Sequence, residues 1–178
     1  MIKVLLVGER GTGKSTFVEI AKEVFPGVYG IRIAVPLYQV QSLIYDFCGI
    51  QKDFEQQDDV LLTFLGKHLK CINPQIYEKH FEEQMEVALR KASSMVICSD
   101  ARPPNVDFII KKGFKIIRIE AEEQAKKSRL IARHDIVFED AVTPRGLIFD
   151  GHADFVITNN ATIQEYRSKI LEIVRLLS

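Results

Sequence analysis

The chain has 178 residues, 47% of them hydrophobic and 27% charged, which is the size and mix of one ordinary soluble globular domain. Lys plus Arg and Asp plus Glu balance at 24 each, so no global field draws nucleic acid or an anionic membrane, and any phosphate binding must be local. Cys48, Cys71 and Cys98 are scattered without C-x-x-C spacing, which fits reduced thiols better than a disulfide framework, and His68, His80, His134 and His152 form no ligand pattern, which favours buried or surface histidines over a metal site.

In chain order, "KVLLVG" reads as a strand buried on both faces. The run is too short for a signal peptide or a membrane span, so the expected location is the cytoplasm. "KSTFVEIAKEVF" sets Phe17, Val18, Ala21 and Phe25 at helical spacing and is stopped by Pro26 and Gly27. "VYGIRIAV" is strand-like, and "PLYQVQSLIYDFCGI" predicts a helix that opens on Pro36 and closes near Gly49.

Residues 52–92 are helical in character, with breaks expected at Gly66 and at Asn73-Pro74. Beyond them "SMVICSD" predicts a strand, "VDFIIKKG" a helix, "FKIIRIEA" a strand and "EEQAKKSRLIARHD" a helix. "ADFVITNN" is the last strand, and "IQEYRSKILEIVRLL" an amphipathic helix with apolar positions 163, 166, 170, 171, 174 and 177. The alternation predicts a three-layer α/β/α fold with a mainly parallel five-stranded sheet, a single domain over residues 1–178. Residues of about 36–92 would be a helical insertion over the strand ends, where ligands bind in such sheets, and about 122–150 a lid-like region.

The most specific signal is "GERGTGKST" at the exit of the first strand. Gly8, Gly13, Lys14 and Ser15 meet the spacing G-x-x-x-x-G-K-S, in which glycines let successive N–H groups turn inward at the positive end of a helix. Gly8, Arg10, Gly11, Thr12, Gly13, Lys14, Ser15 and Thr16 are therefore the expected contacts of ATP phosphates. Lys14 reaches the β- and γ-phosphates, Ser15 ligates Mg²⁺ and Thr16 donates to the α-phosphate. No N-K-x-D guanine clamp accompanies the loop, and "DFCG" at 46–49 lies in a helical stretch. Small size and a helical insertion suit a kinase of a small phosphorylated acceptor.

Two clusters bear on the reaction. "VICSDARPPN" ends a strand in Asp100, a candidate carboxylate for Mg²⁺ or its water shell, with Arg102 two residues on and of the same parity; the competing reading is a helix N-cap beside a surface arginine. Lys126, Arg129 and Arg133 share one helix face, either closing over the phosphates or forming a solvated face balanced by Glu122 and Glu123.

With these residues the chain resembles the P-loop nucleoside monophosphate kinases, and among them the phage-type deoxynucleoside monophosphate kinases. The resemblance is carried by "GERGTGKST", "IAVPLYQVQSLIYDFCGI", "LLTFLGKHLKCINPQIY", "SDARPPNVDFIIKKGFKIIRIEA" and "ADFVITNNATIQEY" in that order, and covers most of the chain. It implies transfer of the γ-phosphoryl of ATP to a (deoxy)nucleoside 5′-monophosphate with Mg²⁺. It further implies Arg32 and Lys70 as contacts to the acceptor phosphate, Arg102 as an acceptor or phosphate contact, Arg129 and Arg133 as lid arginines, and Asn159 and Asn160 near the adenine; the expected catalytic set is then Lys14, Asp100, Arg129 and Arg133. Thr63 stands where the family tends to carry glutamine, and Lys70 where an arginine is usual, a point charge in place of a bidentate fork.

The expected partners are small-molecule nucleotides, with neither nucleic acid nor a membrane, and with a homodimer allowed. The rival functions are a P-loop kinase of another acceptor, of the dephospho-coenzyme A or phosphomevalonate type, and a nucleotide-binding regulator with little turnover.

Overall fold

The computed structural model describes residues 1–51, 56–101, 103–132, 146–147 and 151–177. Its elements run β1 (Ile2–Glu9), α1 (Lys14–Val24), β2 (Val28–Ile31), α2 (Val35–Phe47), α3 (Asp59–Ile72), α4 (Ile76–Arg90) and β3 (Met95–Cys98). They continue as α5 (Pro103–Lys111), β4 (Lys115–Glu120), α6 (Glu123–Ala132), β5 (Gly146–Leu147), β6 (Phe155–Thr158) and α7 (Ile163–Leu177).

Five strands pair in parallel in the order β2-β3-β1-β4-β6, with β1 at the centre. Side chains alternate across this sheet with period two, so the apolar run of β1 at residues 4–7 serves two cores. Val4 and Leu6 face α1 and α7, where Phe17, Val18, Tyr166 and Ile170 are buried against them. Leu5 and Val7 face α4 and α5, where Phe81, Val106 and Ile109 close the opposite side. The result is the three-layer α/β/α architecture that the alternation of elements predicts.

Several details differ from the sequence reading. β2 stops at Ile31 because the N–H groups of Ile33 and Ala34 donate to the Asp100 carboxylate and so leave the ladder. Within the stretch read as an insertion, α4 is part of a sheet layer: Tyr77, Phe81 and Ala88 are buried, and the helix packs on β2 and α5. The helices outside the layer are α2 and α3. Gln41 joins them by donating to the Gln56 carbonyl and accepting from Asp58 N–H, both at 2.9 Å, while the Tyr45 hydroxyl donates to Asp58. β5 is a two-residue strand antiparallel to Gly8 and Glu9, and no pattern in the sequence marks it.

Gly66 does not break α3. A lone helical glycine costs only about 1 kcal/mol relative to alanine, which a packed helix absorbs. The Tyr77 hydroxyl donates to its carbonyl at 3.2 Å, and a Cβ added there would stand 3.4 Å from that hydroxyl, an ordinary contact. Gly66→Ala is therefore expected to stabilise the fold by about 0.5–1 kcal/mol. Thermal melts would show it as a higher midpoint; a lower one would mean that the Tyr77 contact cannot yield. Among the described residues no helix is long and apolar enough to cross a membrane.

Candidate functional site

The connections from β1 and β3 leave the sheet in opposite senses. The chain passes from β1 to β2 on one side, and from β3 it crosses to β4 on the other. In open α/β sheets such a switch point opens a crevice at the carboxyl ends of the strands. The glycine-rich loop after β1 and Asp100 after β3 both border it.

The loop itself is backbone that a side chain would not permit. Gly13, immediately before α1, has φ of 105°, and Gly8 has φ of 144°, both in the region open to glycine. A Cβ on Gly8 would strike the Ile119 carbonyl, and one on Gly13 the Asn159 amide. α1 thus begins abruptly, and its first-turn N–H groups, Ser15 and Thr16 among them, have no intrahelical acceptors. No acidic residue sits in that turn, so the positive end of the helix is left for an external anion.

A cavity of about 330 Å³ lies against this loop. Gly8, Arg10, Gly11, Gly13, Lys14, Ser15 and Thr16 line one wall; Arg32, Tyr38 and Gln57 line another; Ser99, Asp100 and Ala101 come from the end of β3, and Arg129 and Ala132 from α6. The Lys14 ammonium donates to the Gly8 and Glu9 carbonyls, each at 2.7 Å, and so spans the mouth of the loop. The Arg32 guanidinium lies 5.0 Å over the ring of Tyr38, which fixes a planar cation on the far wall. Asp100 accepts from Ile33 N–H at 2.7 Å and Ala34 N–H at 2.9 Å, so this carboxylate ties the end of β3 to the turn that follows Arg32.

Other expected site residues stand elsewhere. Thr12 is buried, with its hydroxyl donating to the Glu9 carbonyl at 2.9 Å, and it braces the loop from within. Asn159 is buried beneath the loop: its amide donates to the Thr12 carbonyl at 2.9 Å, and its own carbonyl accepts from Arg129 at 2.8 Å. Asn160 exchanges two hydrogen bonds with Glu122. Neither asparagine lines this cavity, and Asn159 supports the loop from beneath.

Lys70 also lies off the cavity wall, with its ammonium 3.3 Å from the Asn105 amide oxygen and 5.4 Å from the Tyr77 ring. Lys126 does not face an anion site; it is buried and bonded to Glu9 and Glu123. Arg102 and Arg133 lie outside the described residues.

Sequence reasoning missed three contributors. Gln57 and Tyr38 line the cavity, and the Gln57 amide donates to the Tyr38 hydroxyl at 3.3 Å. Tyr166 sits at a helical core spacing, which is how it was expected to behave, yet its hydroxyl reaches the Gly13 carbonyl at 3.1 Å; burial pushes that phenol's pKa well up and keeps it a neutral donor. No local pattern around Gln57 would have placed it here.

No protein-family model and no curated protein matches this chain. Among solved structures it is similar to TT1252 from Thermus thermophilus, with a TM-score of 0.61 at 13% identity over 100% of both chains. That likeness shows the fold over the whole chain. Lower scores are found with dephospho-CoA kinase from Campylobacter jejuni (0.48, 18% identity, 98% of this chain and 96% of that one) and an unliganded sugar kinase from a Janibacter species (0.43, 13% identity, 98% and 92%).

Proposed function

We propose that the protein is a phosphotransferase that moves the γ-phosphoryl of ATP, with Mg²⁺, to a (deoxy)nucleoside 5′-monophosphate. The observation that carries this reading is the wrapped loop with Lys14 at its mouth, facing a cavity whose other walls hold Arg32 and Arg129. Two cation-bearing walls opposite an anion nest suit two polyanions brought end to end.

The acceptor phosphate is itself an anionic nucleophile, so the residues need only align and neutralise. In this reading the loop N–H groups hold the donor phosphates, and the Lys14 ammonium exchanges the Gly8 and Glu9 carbonyls for phosphate oxygens. Arg32 takes the acceptor, with Tyr38 keeping the guanidinium in plane. Arg129 faces the transferring group, where charge spreads in the transition state.

Ser15 and Asp100 present a hydroxyl and a carboxylate to the same cavity, the hard oxygen donors that Mg²⁺ accepts beside phosphate and water. Both Asp100 oxygens accept a backbone N–H, which holds the carboxylate at the edge of the cavity. When bound, the ion neutralises phosphate charge and polarises the transferring group.

The deciding experiment is ADP formation from Mg-ATP with each ribo- and deoxynucleoside monophosphate, dephospho-coenzyme A and phosphomevalonate added in turn. The expected outcome is ADP formation that depends on one or a few nucleoside monophosphates. Dependence on either of the other acceptors alone would move the substrate class. Tight ATP binding without turnover for any acceptor would make the chain a nucleotide-binding regulator.

A further inference from the structure

We infer that Glu9 and Lys126 are a positioning pair, which docks α6 on the phosphate loop and thereby aims Arg129 into the cavity. The inference rests on the proposed function only in treating that cavity as a phosphate site.

Among the described residues Lys126 is the only buried cation, 6% exposed. Removing an ammonium from water costs several kcal/mol unless anions meet it. Here the Glu9 carboxylate accepts at 2.6 Å and that of Glu123 at 2.5 Å. Burial alone would draw the Lys126 pKa down, but these two carboxylates outweigh it and hold the group charged, with its pKa raised.

The two partners are not equivalent. Glu123 is three residues away on the same helix and largely exposed, a pairing that any surface helix makes. Glu9 is the last residue of β1, where the phosphate loop begins, 117 residues away, so its bond joins two elements far apart in the chain.

Two further contacts lie along the same seam. Gly11 approaches the backbone of Lys126 so closely that an added Cβ would stand 2.8 Å from the Lys126 carbonyl oxygen. One helical turn on, Arg129 donates to the Gly11 carbonyl at 3.1 Å and to the Asn159 carbonyl at 2.8 Å. Lys126 and Arg129 share a face, so the bond that seats the first fixes the depth and angle of the second. α6 is therefore already docked on the loop along Lys126 and Arg129, and a helix waiting to close over it would have no need of a buried cation at this point.

The test is a double-mutant cycle between Lys126→Met and Arg129→Ala, read as the Kd of Mg-ATP by calorimetry and as kcat with the best acceptor. A positioning role predicts that Lys126→Met lowers the readout that Arg129→Ala lowers, by up to about a hundredfold, and adds almost nothing in the Arg129→Ala background. Glu9→Gln should reproduce the loss, and Lys126→Arg should recover most of it.

Equal losses in both backgrounds would mean that Lys126 only supports the fold, and would overturn the inference. So would an Arg129→Ala variant with wild-type Kd and kcat. If Lys126→Met does not fold, the partly exposed Glu9→Gln carries the same cycle. A wild-type protein without acceptor-dependent turnover, but with coupled losses in ATP affinity, would refute the kinase reading and leave the positioning pair standing.

Discussion

Lys14→Met is expected to lower kcat by two to three orders of magnitude, about 3–4 kcal/mol of transition-state stabilisation, the scale at which one preorganised charge contact acts in a water-poor site. The ammonium sits where the loop closes, donating to Gly8 and Glu9. Those bonds make it an internal strut without ligand and a phosphate contact with one. The two roles separate in measurement. The strut is partly redundant, because the Glu9 carbonyl keeps the Thr12 hydroxyl, Thr12 keeps Asn159, and Gly13 keeps Tyr166. The melting temperature should therefore shift by only a few degrees, while turnover collapses and Mg-ATP affinity weakens. A variant that keeps turnover within tenfold of wild type would remove Lys14 from the chemistry and, with it, the central support for phosphoryl transfer.

What the sequence made legible follows from the range of the forces involved. The loop could be read because its chemistry is local: glycines, lysine and hydroxyls lie within nine residues, between a buried strand and a helix of clear periodicity. The layered fold could be read because the unbroken apolar run of β1 and the period near 3.6 in α1 and α7 each report burial without knowledge of the partner. Lys126 could not be placed. Its spacing with Arg129 gives the shared face correctly, but the identity of what covers that face depends on Glu9 at the other end of the chain.

The contact of Asn159 was hidden for the same reason, since the strand exit that carries it meets the underside of the loop, 147 residues earlier. Gly66 illustrates the opposite error. A local penalty was given weight that tertiary packing overrides, as the buried Tyr77 beside it shows. Sequence periodicity tells which side of an element is hidden, and contacts across the fold decide what that side does.

Asp100→Asn tests whether one carboxylate unites the two halves of the cavity. Its oxygens accept from Ile33 and Ala34, the two residues after Arg32, and Ala34 is also the residue from which α2 begins. Asparagine keeps the shape but offers one acceptor, and turns an NH₂ toward an N–H that then has no partner. Leaving one such donor unsatisfied costs about 1–3 kcal/mol, which should appear as a lowered unfolding free energy in denaturant titrations. The turn carrying Arg32 would relax with it, and Tyr38, the fourth residue of α2, would follow. The acceptor KM should then rise and kcat fall, together by about a hundredfold or more in kcat/KM, since a displacement near 1 Å is enough at a reacting centre. The donor side offers the control. Mg-ATP affinity should fall far less than acceptor affinity if the clasp on Ile33 and Ala34 is what matters, and at least as much if the carboxylate serves only the metal. Unchanged stability with an unchanged acceptor KM would show that the turn is held by other means, and Asp100 would then be left with the ion alone.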